Sequence, residues 1–374
     1  MSDVVLFELL KCSNGKHIGI ATLNSEKSLN ALSHNMVKSL YPKLKSWQQD
    51  DNIVAVVLQG TGSKAFCAGG DVVHLYHNLP NQQGDSAPDV EAFFTDEYKL
   101  DFLIHTFEKP FIVWGHGIVM GGGLGLMVGG SHRIVTENTK IAMPEISIGL
   151  YPDVGATYFL NKMPDNCGLF LGLTGATMNA ADAIYTNLAD NFITNDKKSE
   201  FIMKLIMINW CESLALNHQR VSHLLHDLEE KCMVHIPGSN VKKHQTLISE
   251  LTSADTLGEI VEAIKSKEID DQWFNKAQKS LSHGSPVSAQ LTYRQLQEGK
   301  DMTLADCFRL ELGISTKCSE FGEFKEGVRA LLIEKDNKPS WKYPSVEAVA
   351  EQDIEWFFSP QWADVEHPLA TLGK

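Results

Sequence analysis

The sequence holds no run of about 18 consecutive apolar residues, the length a bilayer-crossing helix needs, so a spanning segment is not expected. Its first residues have no basic stretch followed by a long apolar one, and they are not rich in Arg and Ser. Neither a secretory signal nor a mitochondrial transit peptide is therefore expected, and the reading is a cytoplasmic protein. Cysteine is sparse and unpatterned: seven residues, at positions 12, 67, 167, 211, 232, 307 and 318, with no C-x-x-C pair. An odd, scattered set in a chain this long points to reduced thiols in a reducing compartment. Positive charge is also short, with 33 Lys and Arg against 47 Asp and Glu and a net charge of −14. That balance argues against nucleic acid or anionic lipid as a partner. An anionic ligand would have to be held by a local arrangement. No stretch fits G-x-G-x-x-G, G-x-x-x-x-G-K-[ST] or G-x-S-x-G, which removes the dinucleotide, P-loop and α/β-hydrolase readings. No His or Cys spacing suggests a metal site, and no cofactor is implied.

What is present is an ordinary globular composition, 43% hydrophobic and 21% charged, in 374 residues, which suits a large core with an appended smaller region. Val4–Leu10 and Ile18–Leu23 flank Asn14-Gly15 and read as a hairpin. Leu32, Val37, Leu40, Leu44 and Trp47 follow a helical spacing. Ile53–Leu58 reads as a buried strand, and Phe111–Trp114, Arg133–Thr136 and Lys140–Met143 as further strands. The polar segment 80–89 reads as an exposed loop, and a helical period returns between Val90 and Phe107. Beyond about residue 195 helical patterns dominate, at 199–215, 241–265, 286–299 and 303–317, with Ser285-Pro286 as a helix start. The expectation is an α/β core over residues 1–195 and a helical region over 196–374.

Two glycine-rich turns stand at strand ends, Lys64-Ala65-Phe66-Cys67-Ala68-Gly69-Gly70-Asp71 and Gly115-His116-Gly117-Ile118-Val119-Met120-Gly121-Gly122-Gly123-Leu124-Gly125. Such turns leave amide N–H groups unobstructed, and at a helix start they favour negative charge. Two of them together could polarise one carbonyl oxygen, where each donor contributes on the order of 10²–10³ in rate. Taken singly, each reads first as a tight turn under a closely packed helix. A third stretch runs from Ala142 through Glu145 and Asp153 to Gly155, with two carboxylates eight residues apart in apolar surroundings. Such carboxylates tend toward raised pKa values, the condition for acid–base work; singly, each also suits a turn or cap. Cys67 and His116 read as structural residues, and the acid- and glycine-rich stretch Glu320–Glu326 as a solvated connection.

In this order the three stretches resemble the crotonase (enoyl-CoA hydratase/isomerase) superfamily. Leu29-Asn30-Ala31-Leu32-Ser33 and Gly172-Leu173-Thr174-Gly175 add to the match. Gly-Leu-Tyr-Pro-Asp-Val-Gly at 149–155, Glu-Gly-Val-Arg-Ala-Leu-Leu-Ile-Glu-Lys-Asp at 326–336 and Thr292-Tyr293-Arg294-Gln295-Leu296 after Ser285-Pro286 resemble its 3-hydroxyisobutyryl-CoA hydrolase branch. The resemblance covers residues 5–345 and implies an α/β fold, a spiral of ββα units with a mostly helical C-terminal region. It implies hydrolysis of a short 3-hydroxyacyl-CoA in valine degradation, with coenzyme A as part of the substrate.

By the same resemblance, the amides of Gly70 and Gly122 form an oxyanion hole, and Ala68, Gly70, Asp71 and Val72 bind CoA. Glu145 and Asp153 carry the chemistry, while Glu97 contacts the substrate; from sequence alone Glu97 equally suits a solvated helix face. Val73 stands where relatives often carry Lys or Arg. Gly125 stands where the hydratases carry a first glutamate, so half of their machinery is missing. A hydratase or isomerase of the same fold and a non-catalytic acyl-CoA binder are the alternatives. A homo-oligomer is compatible with the resemblance.

Overall fold

The computed structural model describes residues 3–80, 82 and 84–374. They form two compact units, each assembled from three stretches of chain: 1–70, 100–141 and 178–242 in the first, and 71–99, 142–177 and 243–374 in the second. The expected boundary at residue 195 falls just after the last strand. The last strand is Asn191–Phe192, and the described residues beyond it form only helices, turns and loops.

The first unit is built on a six-stranded sheet. Its strands are β1 (Val5–Lys11), β2 (His17–Leu23), β3 (Ile53–Gly60), β5 (Phe111–Gly115), β7 (His132–Val135) and β9 (Asn191–Phe192), in the spatial order β1-β2-β3-β5-β7-β9. β1 and β2 pair as the expected antiparallel hairpin, Val5 opposite Leu23, and all other neighbours run parallel. A parallel strand covered on both faces has to be apolar throughout. In β3 every residue from Ile53 to Leu58 is buried. A second sheet has the order β4 (Ala65–Cys67), β6 (Ile118–Met120) and β8 (Lys140–Ala142). β4, β6 and β9 are two or three residues long, too short to leave a periodic signal in the sequence.

Helix α1 (His34–Gln49) buries Val37, Leu40, Leu44 and Trp47 of the stripe read from the sequence, and Met36 as well, while Leu32 lies before the helix, bridged to Gly70. Its start is fixed by Ser33, whose hydroxyl accepts from the Met36 amide. Just before it, buried Asn30 holds a left-handed backbone, with φ 55°. Its side-chain oxygen accepts from the Ser25 amide (2.9 Å) and the Thr61 hydroxyl (3.1 Å). Its amide donates to the carbonyls of Thr61 (2.9 Å) and Ala65 (3.0 Å). One side chain therefore ties the loop before α1 to the turn between β3 and β4.

Corrections to the expected helices have local causes. The span 199–215 is two helices, Lys198–Ile206 and Leu214–Cys232, the second restarted by Ser213, which caps the Leu216 amide. The span 241–265 is three short helices, the last started by a Thr256–Glu259 capping box. In the segment 80–89, residues 81 and 83 lie outside the described residues. Ala87 there is buried, and Pro88 already opens helix α3 (Pro88–His105). The stretch Glu320–Glu326 is not a solvated connection. It completes the helix Leu304–Phe321 and opens Glu323–Val328, with Glu323 buried.

Replacing Asn30 with Ala strands the buried Ala65 carbonyl and the half-buried Thr61 carbonyl and places Ala at a positive φ. Each stranded group costs about 1–3 kcal/mol. Asn30→Ala is therefore expected to lower unfolding stability by roughly 2–4 kcal/mol, measured by denaturant titration.

Candidate active site

In the first unit the two glycine turns brace one another. The Phe66 amide donates to the His116 carbonyl (2.8 Å) and the Ile118 amide to the Lys64 carbonyl (3.0 Å). Helix α4 (Gly122–Val128) begins over the first turn, so close that a Cβ on Gly123 would lie 2.3 Å from the Cys67 carbonyl oxygen. Gly121, with φ 47° and ψ −125°, makes the entry into α4, a conformation open to glycine. Gly122 is thus a first-turn residue of a helix, where the amide has no partner within the helix. Gly70 ends the first turn and pairs with Leu32, and the Ala68 amide donates to the Leu29 carbonyl (3.1 Å). The motif at residues 29–33 thereby acts as the support of the first turn. Cys67 is buried, and His116 is a buried strand-end residue within 3.0 Å of the Gly62 carbonyl through Nε2; burial lowers its pKa.

In the second unit, Asp71 accepts from the His74 amide (3.1 Å) and caps helix α2 (Val72–Asn78), which Val72 opens. Val73 is exposed on it. The same unit brings Glu145 and Asp153 within electrostatic reach of each other. Glu145 opens the 3-10 turn Glu145–Ile148, which ends at Gly149 with φ 68°. A Cβ on Gly149 would lie 2.3 Å from the Glu323 carbonyl oxygen, and one on Gly327 would lie 2.3 Å from the Ile148 carbonyl carbon. The helix Glu323–Val328 therefore presses directly on the backbone of the Glu145 turn. On another side the Ser285 amide donates to the Ile146 carbonyl (3.0 Å). Ser285 caps its own helix, Pro286–Glu298, and donates to buried Glu323 (2.5 Å).

Glu145 is 5% exposed, and among the described residues its Oε2 has no hydrogen-bond partner. Burial first, and then the charge of Asp153, hold its carboxyl well above the usual range. Asp153 is 4% exposed but supported, because Tyr98 donates to its Oδ2 at 2.6 Å. Burial pushes Asp153 up to about 6, against the Tyr98 hydrogen bond, which favours the charged form. Two carboxylates in unlike surroundings divide the acid and base roles between them. Here the proton favours Glu145.

Asp153 is followed by Val154, whose φ of 53° is rare for a β-branched residue and costs about 1–3 kcal/mol. Glu311 holds the backbone beyond it, accepting from the amides of Gly155 (2.7 Å) and Thr157 (2.8 Å). Burial lifts Glu311 to about 8 against these donors. Glu97, also in this unit, is 2% exposed, which overturns the solvated-face reading.

Sequence reading missed Tyr98, Tyr151, Glu311 and Ser315. Tyr151 lay inside the quoted motif 149–155, two residues before Asp153, and Tyr98 stands directly beside Glu97. Glu311 and Ser315 sit four apart on a helix face shared with Phe308 and Leu312, a buried polar pair at helical spacing that was there to be noticed.

A family profile described as "Enoyl-CoA hydratase/isomerase" matches residues 18–358. The chain belongs to the enoyl-CoA hydratase/isomerase family. Among its relatives, 3-hydroxyisobutyryl-CoA hydrolase, mitochondrial, from Danio rerio is 39% identical over 357 residues, 95% of this chain and 89% of the relative. The protein of the same name from Gallus gallus is 37% identical, covering 91% of this chain and 86% of the relative. The Homo sapiens protein of that name is 35% identical over 96% and 89%. Two solved structures share the fold. An enoyl-CoA hydratase from Rhodobacter sphaeroides has a TM-score of 0.82 and 30% identity over 96% of this chain and 98% of that one. A carnitinyl-CoA dehydratase from Mycobacterium thermoresistibile has 0.83 and 32% over 96% and 97%. The fold is therefore of the crotonase type, as expected. Among the described residues no helix is long and apolar enough to cross a membrane.

A raised carboxylate pKa has a sign in stability. Between its unfolded and folded pKa values Asp153 binds more proton when folded, so its contribution to stability falls as pH rises from about 4 to about 6. Asp153→Asn removes this loss. Its stability relative to the parent is expected to improve by roughly 1–3 kcal/mol between pH 4 and pH 7, read from urea midpoints at both values.

Proposed function

We propose that this family member hydrolyses the thioester of a short 3-hydroxyacyl-CoA, 3-hydroxyisobutyryl-CoA or a close analogue, as a step of valine degradation. The observation that carries the reading is the buried pair Glu145 and Asp153, one with an oxygen that lacks a partner among the described residues and one hydrogen-bonded by Tyr98. The names of the 35–39% identical relatives support the substrate. In this reading the amides of Gly70 and Gly122 hold the thioester oxygen as it gains charge. Asp153 takes the proton that Glu145 holds at rest. The Glu145 carboxylate, poorly solvated, then attacks the carbonyl carbon or draws a proton from an attacking water. The C–S bond breaks, the thiolate leaves with a proton from the acid pair, and water supplies the second oxygen of the free acid. Glu97 accepts from the 3-hydroxyl group. Ala68, Gly70, Asp71 and Val72 line the CoA, which enters as substrate, so no resident cofactor is required.

A second reading is water addition to an enoyl-CoA, favoured by the names of the two solved relatives. Against it stands Gly125, buried in α4, where the hydratases carry a carboxylate. Seven free thiols suit a reducing compartment such as the cytoplasm, whereas the curated relatives carry "mitochondrial" in their names. Cell fractionation decides that placement.

Thiol release is the deciding assay, with 3-hydroxyisobutyryl-CoA, 3-hydroxypropionyl-CoA, acetyl-CoA and crotonyl-CoA. Release is expected from the first two. Glu145→Gln should cut it by about 10²–10⁴-fold with CoA-ester binding retained. Loss of crotonyl-CoA enoyl absorbance without thiol release would establish the hydratase instead. Binding without turnover in either channel would point to a non-catalytic acyl-CoA binder.

A further inference from the structure

Four short contacts run in series from Asp153 to the backbone of the helix Leu304–Phe321. Tyr98 Oη lies 2.6 Å from Asp153 Oδ2 and 2.7 Å from Ser315 Oγ. Ser315 Oγ lies 2.9 Å from Tyr151 Oη, which donates to the Glu311 carbonyl at 2.7 Å. All four residues are buried. Each contact needs one proton between its two oxygens, and the carbonyl at the far end has none to give.

Three hydroxyls supply three protons. With Asp153 ionised, one contact of the four is therefore empty. A proton on Asp153 Oδ2 fills the series. Asp153 then donates to Tyr98, Tyr98 turns to Ser315, Ser315 turns to Tyr151, and Tyr151 stays on the carbonyl. Only the Oδ2–H bond is made, with a proton from Glu145 or from water, and the hydroxyls merely rotate.

We infer that Tyr98, Ser315 and Tyr151 are positioning residues that form a hydroxyl relay matched to the protonated form of Asp153, making that carboxylate a ready acceptor and donor of one proton. The titratable groups facing Asp153 are Glu145, Tyr98, Tyr151, Glu311 and Cys318, from its own segment, α3 and the helix Leu304–Phe321, and the Asp153 charge raises each of them. All are acids held above their ordinary range, so they are neutral where Asp153 titrates and burial is what opposes its ionisation. The relay's part in turnover rests on the hydrolase reading; its effect on the proton affinity of Asp153 does not.

Counting bonds gives a signed prediction. Without the Ser315 hydroxyl, two contacts remain, and both are filled whether Asp153 is ionised or protonated. The protonated form loses two bonds and the ionised form one. Tyr151→Phe has the same balance, although Tyr151 makes no hydrogen bond to Asp153. Each variant should lower the titration midpoint of Asp153 by about half to one pH unit, the worth of one neutral hydrogen bond. Ser315→Thr keeps a hydroxyl and should leave the midpoint in place.

The test is the pH titration of the Asp153 carboxyl carbon by NMR in the full chain with 13C-labelled aspartate, the resonance assigned through Asp153→Asn. It uses no substrate, so its failure is separate from any failure of thiol release. Lowered midpoints in Ser315→Ala and Tyr151→Phe, with Ser315→Thr unmoved, support the relay. Unchanged or raised midpoints in these two variants overturn it. Where Ser315→Ala does not reach the far-UV dichroism of the parent, Tyr151→Phe decides alone.

Discussion

Glycine at 149 and 327 lets two backbones meet with no side chain between them, and the chemistry of the second unit depends on that approach. A Cβ at either position would collide with carbonyl atoms of the facing segment. The Glu145 turn is consequently enclosed by protein on the side where a turn would ordinarily face water. Enclosure is what gives Glu145 its unusual state: a carboxyl group with a bare oxygen, costly to ionise and strongly basic once ionised. A looser joint would admit water, restore ordinary solvation and leave Glu145 an unremarkable surface acid.

The same enclosure sets a stability debt that other contacts offset. Glu145, Asp153, Glu311 and Glu323 are all buried, and burial raises each of them. Three of them have donors from other residues: Tyr98 for Asp153, two amides for Glu311, Ser285 and the Lys342 amide for Glu323. Glu311 and Glu323 carry a hydrogen bond on both carboxylate oxygens. The carboxylate given the reactive part in our proposal retains an oxygen that lacks one, and Val154 adds backbone strain immediately beside its partner.

Much of this was legible in the sequence because glycine, proline and paired carboxylates leave marks at fixed spacings. The turns at 64–71 and 115–125, the acids at 145 and 153 and the apolar strands were read from residue types alone, and the family resemblance joined them. Tyr98 and Tyr151 were visible but mute, since an aromatic residue in an apolar run reads as packing until its hydroxyl is given a partner. The left-handed φ of Val154 had no trace at all, because a β-branched residue predicts the opposite conformation. The burial of Glu323 depends on partners distant in sequence, where local periodicity carries no information, whereas the restart at Leu214 follows from the cap at Ser213, a local mark that periodicity alone passes over.

The interleaving of the two units bears on how the protein is made. The turn carrying Glu145 leaves the ribosome about 180 residues before the helix that closes on it, roughly ten to forty seconds at ordinary synthesis rates. Throughout that interval the segment 142–177 has no helix Glu323–Val328 to pack against, and its apolar surface is open to whatever binds nascent chains. Assembly of the acid pair is therefore a late event of biosynthesis, coupled to completion of the polypeptide. A prematurely terminated chain would be a client for quality control and not a partially working protein.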